Sequence, residues 1–394
     1  MSSFNNMLDK NKIEIKKYIM KGKKILVVIP TSKPNYEISF SAPLSWLFSK
    51  NMHNVKGIFS FQLTPELVCS YDYFIVELNW FTELYEFGLI VDYIKSHNKK
   101  AKILFGGLHS QLKYKTIFDN YDVDYFIKGD NELPIQMFLN GDNIRDIPNF
   151  VSRSFENDIE YVFKKEDYDN LEFNLDWFPD YFRFLKKFDP NSDTRNFSNP
   201  MILSSKGCTI PHDGCDYCLG SKLHIYKSCY NRGPVTIDND QLIKLIKKIE
   251  AKFDKLTLYI ISPYNYDFSN IKFNIDATIE VDSEISLEQI KNLIFAFKKA
   301  RVLLPIHKDG IMGKEIIDNY KDILDLQDEN HEIHFAAYSY EADIIGKDAK
   351  NIFFNLDNVF ASPYARYENY IKDDCALLVS KRVYEKTQFK FIKR

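Results

Sequence analysis

Short, continuous apolar runs alternate with segments of helical period along the first 150 residues of the chain. Segments 25–30 (ILVVIP), 73–78 (YFIVEL), 102–105 (KILF) and 123–127 (VDYFI) read as strands covered on both faces, because such strands need no polar alternation. Between them, 87–94 carries apolar residues at helical spacing and leads into the polar turn SHNKK. Strand and helix recur at the spacing of βαβ units, which predicts a doubly wound, Rossmann-like α/β domain over residues 23–150, after an N-terminal extension at 1–22. Ligands of such sheets sit beyond the carboxyl ends of the strands. The loops after Pro30, Leu78, Phe105 and Ile127 are the expected ligand edge.

Residues 151–198 show no sustained period. They are rich in Asp, Asn, Phe and Tyr and read as a linker. From Met201 the alternation resumes. Strands are expected at 201–204, 256–261 (LTLYII), 275–281 (IDATIEV), 302–306, 332–338 and 351–356, although Pro305 weakens the fourth of these. An amphipathic helix is expected at 241–253, with Asp238 and Asp240 as cap candidates. A second opens at Ser286 with Gln289 three residues on, a capping-box pattern, and a third spans 314–326. About six βα units predict a partial or full (β/α) barrel over 199–345. The segment 346–394 is expected to close or flank it.

Hydrophobic residues make up 45% of the chain and charged residues 27%, enough for a real core and against wholesale disorder. A net charge of -3 does not indicate a generally basic nucleic-acid binder. No apolar run approaches the roughly 18 residues of a membrane span, and the polar, basic N-terminus lacks a signal-peptide stretch. A cytoplasmic protein is expected, with its thiols reduced. The abundant Phe and Tyr are read as core.

Composition changes the picture at one place. Three of the six cysteines, Cys208, Cys215 and Cys218, fall within eleven residues. They follow the first strand of the barrel-like half, on the edge where barrel chemistry collects. Three thiolates suit three irons of a 4Fe-4S cluster and leave the fourth iron open. Two other readings stand beside this one: a closed zinc site made with His212, and buried cysteines without metal. Cys229 reads as filler, and the isolated Cys69 and Cys375 carry no assigned chemistry.

The cysteine loop resembles the CxxxCxφC signature of radical S-adenosylmethionine enzymes, with Tyr217 as the aromatic residue before Cys218. The preceding SSKGC and the following YNRGPVTIDNDQLIKLIKKI resemble segments of the cobalamin-dependent branch. One departure is that six residues, not three, separate Cys208 from Cys215. The N-terminal half resembles the same branch: FGGLH at 105–109, VDYFIKGDNELP at 123–134 and DIPNFVSR at 146–153 resemble its GGxH, VDYxxxGEGE and IPGLxxR segments. Here Asp130 and Asn131 replace Glu and Gly, and the Asp-x-His-x-x-Gly motif that ligates cobalt is absent.

The resemblance implies a radical enzyme that cleaves S-adenosylmethionine reductively with a 4Fe-4S cluster, as a cobalamin-dependent methyltransferase. Cys208, Cys215 and Cys218 would hold the cluster. Tyr217, Ser262, Glu280 and Asp282 would contact S-adenosylmethionine, although the family's Gly-Gly-Glu motif is not recognisable at Ser262. Gly106, Gly107 and His109 would contact cobalamin, the glycines by admitting a bulky cofactor to the backbone. His307, Tyr338 and Glu341 are the candidates for substrate chemistry, with Lys308 and Tyr340 beside them. An electron donor such as flavodoxin or ferredoxin is implied; the substrate class, whether small molecule, lipid or peptide, stays open. So do two other functions: a cobalamin-independent radical enzyme performing cyclisation, epimerisation or dehydrogenation, and a degenerate, non-catalytic metal-binding relative.

Overall fold

The computed structural model describes residues 24–32, 54–79, 83–170, 176–180, 200–206, 233–260, 265–281, 285–306, 320–338, 359–362 and 373–386. They divide into two compact units. One comprises Met1–Phe163, Leu171–Ser192 and Lys372–Arg394, the other Lys164–Asn170 and Asp193–Ile371.

The first unit is built on a six-stranded sheet. Its strands are β1 (Ile25–Ile29), β2 (Val55–Phe59), β3 (Tyr73–Glu77), β4 (Lys102–Gly106), β5 (Tyr125–Ile127) and β6 (Phe150–Ser152). Their order is β2-β1-β3-β4-β5-β6, parallel except for the β5–β6 pair. Every residue of β1 is buried, as a sheet covered on both faces requires. Helices α1 (Pro65–Cys69), α2 (Leu84–His97), α3 (Leu108–Asn120) and α4 (Glu132–Asn140) connect the strands. Leu26, Val28, Phe74, Val76, Ile103 and Phe105 form the core of one face with Phe87, Ile90 and Ile94 of α2. The sequence reading passes over β2, because the exposed Lys56 and the glycine after it interrupt its apolar run.

The second unit carries another six-stranded sheet: β7 (Met201–Leu203), β10 (Lys255–Ile260), β11 (Phe273–Val281), β12 (Phe297–Ile306), β13 (His331–Tyr338) and β14 (Val359–Ser362). All five pairings are parallel and follow chain order, the connectivity of a (β/α) barrel. Among the described residues β7 and β14 do not pair, so the sheet is a partial barrel. A two-residue antiparallel ribbon, β8 (Ser205–Lys206) with β9 (Val235–Thr236), stands apart from it.

Helices α5 (Asn239–Glu250) and α6 (Leu287–Phe295) start where their caps predict: the Asp238 amide donates to Gln241 at 3.1 Å, and Ser286 Oγ accepts from the Gln289 amide at 3.3 Å. A short helix α7 (Tyr320–Leu324) falls within the expected 314–326 segment and ends two residues before its expected end, while 314–319 lie outside the described residues. Pro305 is tolerated in β12 because pairing with β11 ends at Leu303, one residue before the imino acid's neighbour. The strand expected at 351–356 lies outside the described residues, and β14 begins later.

Two expectations about connectivity are corrected. The C-terminal helix α8 (Asp373–Lys386) belongs to the first unit, not to the barrel half. Its Tyr384 is buried in the first core, with its ring 5.5 Å from that of Tyr85 on α2. Nor is 151–198 simply a linker. Its start completes β6, Trp177 and Phe178 are buried in the first unit, and Lys165–Asn170 belongs to the second.

Candidate functional site

The cysteine segment leaves the second sheet at the carboxyl end of β7. Its two ends are held together by the β8–β9 ribbon, in which Ser205 pairs with Thr236 and Lys206 with Val235. This neck is fastened to the sheet. The Ser204 amide donates to the Tyr259 carbonyl at 2.9 Å, and the Ile237 amide donates to the Ser204 carbonyl at 2.9 Å. The buried Tyr266 hydroxyl bridges the Ser204 and Ile237 carbonyls, at 3.2 Å from each. From the other side, Tyr168 donates to the Val235 carbonyl and Lys165 pairs with Asp238. Lys206 and Val235, the paired residues on either side of the cysteine segment, are therefore held together at the carboxyl edge of the sheet.

The same sheet has one apolar and one polar face. Side chains alternate along a strand. Leu256, Leu258 and Ile260 of β10 share a face with Ala277, Ile279 and Val281 of β11 and Val302 and Leu304 of β12, all buried. The opposite face carries two polar rows across the ladder. Thr257, Thr278, Arg301 and Glu332 form one; Tyr259, Glu280, Leu303 and His334 form the next, nearer the carboxyl edge. Glu280 is buried there, one residue before β11 ends. Glu332 accepts from Arg301 Nε at 2.7 Å and lies 3.2 Å from His334 Nε2. Burial works to raise its carboxyl pKa, but its bonds to His334 and Arg301 prevail and hold it below the ordinary range. Burial lowers that of His334.

At the carboxyl edge of the first sheet the loops are stitched by buried side chains. Gly107 opens α3 at φ 113°, and a Cβ there would lie 2.6 Å from the Leu78 carbonyl and the Asn79 side chain. A Cβ on Gly106 would meet nothing within 4 Å, so open space lies beside this backbone. His109 is buried, and its amide donates to the Asn79 carbonyl at 3.1 Å. Ser110 bonds the Leu78 carbonyl, while Gln111 takes the Gly129 amide at 2.8 Å and reaches the Ile127 carbonyl.

The motif residues of 123–153 are largely spent on architecture. Asp130 accepts from the Phe163 amide at 2.9 Å. Asn149 stands where the family pattern has Gly and adopts φ 64°, which asparagine tolerates better than most residues. Its side chain accepts from the Glu160 and Tyr161 amides. Arg153 donates to the Val123 and Tyr121 carbonyls and covers the Phe118 ring.

Gly106, Gly107 and His109 thus come together at the first edge, and Glu280 sits on the polar face of the second sheet. Tyr338 ends β13, its backbone paired with Ser362 of β14. Cys208, Cys215, Cys218, Tyr217, His212, Cys229, Ser262, Asp282, His307, Lys308, Tyr340 and Glu341 lie outside the described residues. Sequence reading missed two groups. One is the Arg301–Glu332–His334 cluster, whose signal was the polar alternation of HEIH against ARVLL. The other is Glu86, a carboxyl in the first turn of α2, which is wholly buried at the first edge; its helical segment gave no hint of that.

No protein-family model and no curated protein matches the sequence. Solved structures do. One is the radical S-adenosylmethionine methyltransferase TsrM from Kitasatospora setae with tryptophan substrate and the analogue aza-SAM bound. It has a TM-score of 0.57 and 11% identity, over 90% of this chain and 77% of that one. Another is TsrM with cobalamin and a 4Fe-4S cluster bound, with a TM-score of 0.55 and 12% identity, over 90% of this chain and 75% of that one. The chain has the mixed α/β fold of these enzymes, with a Rossmann-like first domain, as the sequence predicts.

Proposed function

We propose that the chain is a radical S-adenosylmethionine enzyme, a cobalamin-dependent methyltransferase acting on a small molecule. The observation that carries this reading is a cysteine trio rooted at the carboxyl end of β7 in a chain that shares the TsrM fold over 90% of its length. Cys208, Cys215 and Cys218 supply three thiolates, a donor set suited to an iron–sulfur cluster with one open iron. The β8–β9 neck fixes where their segment begins and ends. Glu280, on the polar face of the second sheet, is suited to accept from ribose hydroxyls of S-adenosylmethionine, with Tyr217, Ser262 and Asp282 as its expected companions. The open space beside Gly106 fits the approach of a bulky corrin to backbone, and Gly107 and His109 shape the adjoining turn. When bound, these groups supply a reductant, a sulfonium methyl donor and a methyl carrier. The protein's own task is to bind and orient them and to exclude water. Tyr338, with His307 and Glu341, is assigned to the substrate side. Flavodoxin or ferredoxin is the expected electron donor, and the cytoplasm the expected compartment.

Strictly anaerobic reconstitution with iron and sulfide tests this. A brown protein is expected, with about four irons per chain, and Cys215→Ala should abolish the colour. A colourless protein that holds one zinc would overturn the assignment. Iron without cobalamin uptake would favour the cobalamin-independent radical enzyme.

A further inference from the structure

The Glu86 carboxyl group comes from α2, the helix that follows β3, yet it sits at the carboxyl ends of β1 and β2. The Thr31 and Ser32 amides, in the loop after β1, donate to its Oε2 at 2.9 and 2.7 Å. Thr31 Oγ1 lies 3.3 Å from Oε1, and Ser60, just after β2, bonds the same oxygen. The strand order makes β1 the strand that borders the β1/β3 reversal, and it is in the turn after this first strand that flavodoxin-like sheets present backbone amides to a ligand phosphate.

We propose that Glu86 fills, from within the chain, the anion seat that such a sheet offers to a phosphate group, and so acts as a specificity-determining residue. It bars flavin and nucleotide phosphates from the β1 loop and leaves the β3–β4 side, next to Gly106, as the ligand face of this unit. The geometry supports occupation rather than mere burial. Two amides that could otherwise face a ligand are both aimed at one oxygen, and two hydroxyls are directed at the other. Tyr384 of α8 is the titratable neighbour from the element packed alongside, and the nearby carboxyl helps burial raise its pKa to about 12. Burial likewise pushes the Glu86 carboxyl above its ordinary range, while the bonds from Ser32, Ser60 and Thr31 pull it back. The inference does not rest on the proposed activity. It would hold for an inactive relative with the same fold.

The test is chemical rescue. Glu86→Ala leaves four donors without their acceptor and should lower Tm by roughly 5–10 °C. Formate, but not chloride at equal ionic strength, should restore at least half of that loss, and should leave Glu86→Gln and the native protein unmoved. A folded Glu86→Ala protein indifferent to formate would overturn the proposal. The native protein supplies an arm that needs no variant: flavin mononucleotide should show no quenching of its fluorescence on titration with the full chain. Saturable quenching of the flavin would mean that the seat is open, and would overturn the proposal even if the alanine variant fails to fold.

Discussion

The two sheets are alike in strand number and, apart from the antiparallel β6, in strand direction, and differ in where they put their polar groups. In the first, β1 is buried from end to end, and Glu86, Ser110, Gln111 and Asp130, in the helix starts and loops beyond the strand ends, bond the chain's own backbone. In the second, Thr257 and Tyr259 alternate with buried leucines along β10, and the polar rows run across the sheet itself. A sheet covered on both faces must keep its chemistry at its edge, because a polar group on a covered face needs a partner or costs free energy. A partial barrel covers one face with helices and can carry chemistry on the other. The contrast also separates the roles of the two edges: the first is self-bonded and rigidly specified, while the second gathers the two ends of a long cysteine-bearing segment.

Substitution at Gly107 should strain this contrast most. A side chain there meets both a positive φ of 113° and backbone 2.6 Å away, neither of which can relax cheaply. Gly107→Ala is expected to cost about 3 kcal/mol or more. Chemical denaturation should show a lower midpoint, and cobalamin capture, read by its visible spectrum, should be lost. Iron content per folded protein should remain at the native level. Parallel loss of iron would mean that the two edges do not act independently.

Much of this was legible in the chain, for identifiable reasons. Continuous apolar runs marked β1, β3 and β4, and alternation marked β11; caps at Asp238 and Ser286 marked α5 and α6. What stayed hidden depends on contacts distant in sequence. β2 is short and broken by Lys56 and Gly57, so only its parallel register with β1 defines it. From sequence, α8 belongs to a segment that closes or flanks the barrel, whereas Tyr384 joins the core of a domain more than two hundred residues earlier. Glu86 looks like one charge among many on a helix; its meaning comes from Thr31 and Ser32, which lie 55 and 54 residues away. In the sequence, Gly106 and Gly107 together suggest room for a ligand. Only Gly106 faces open space, because the neighbour that demands a glycine at 107 is the chain itself.

A smaller effect sharpens the comparison through pH. Asp124 closes the opposite end of the first sheet, with Lys102 at 2.7 Å, Lys95 at 2.8 Å and the Ile103 amide at 3.0 Å. Burial works to raise its carboxyl pKa, but the lysines and the amide prevail and hold it below the ordinary 3.8. A depressed carboxyl pKa contributes stability above 3.8, and that contribution is lost as the pH falls through the folded value. Asp124→Asn should therefore cost about 2 kcal/mol at neutral pH and progressively less as the pH falls below 3.8 through the folded value. Urea midpoints across that range provide the check. An equal cost at both ends would show that packing, not charge, ties α2 to β4.

The smallest expected effect lies at the neck of the cysteine segment. Tyr266 has one proton to share between the Ser204 and Ile237 carbonyls, both 3.2 Å away. The Ser204 carbonyl keeps a second partner in the Ile237 amide. Tyr266→Phe should then cost only about 1 kcal/mol and shift Tm by about 2–4 °C. Its informative consequence is kinetic. If the neck holds the ends of 207–232 in register for a cluster, loosening it should speed the loss of iron from reconstituted protein to a chelator, by several-fold more than a control substitution with the same Tm change, such as Ile290→Val in α6. Equal rates in the two variants would reduce Tyr266 to a packing residue and would remove the neck from the account of how this edge differs from the first.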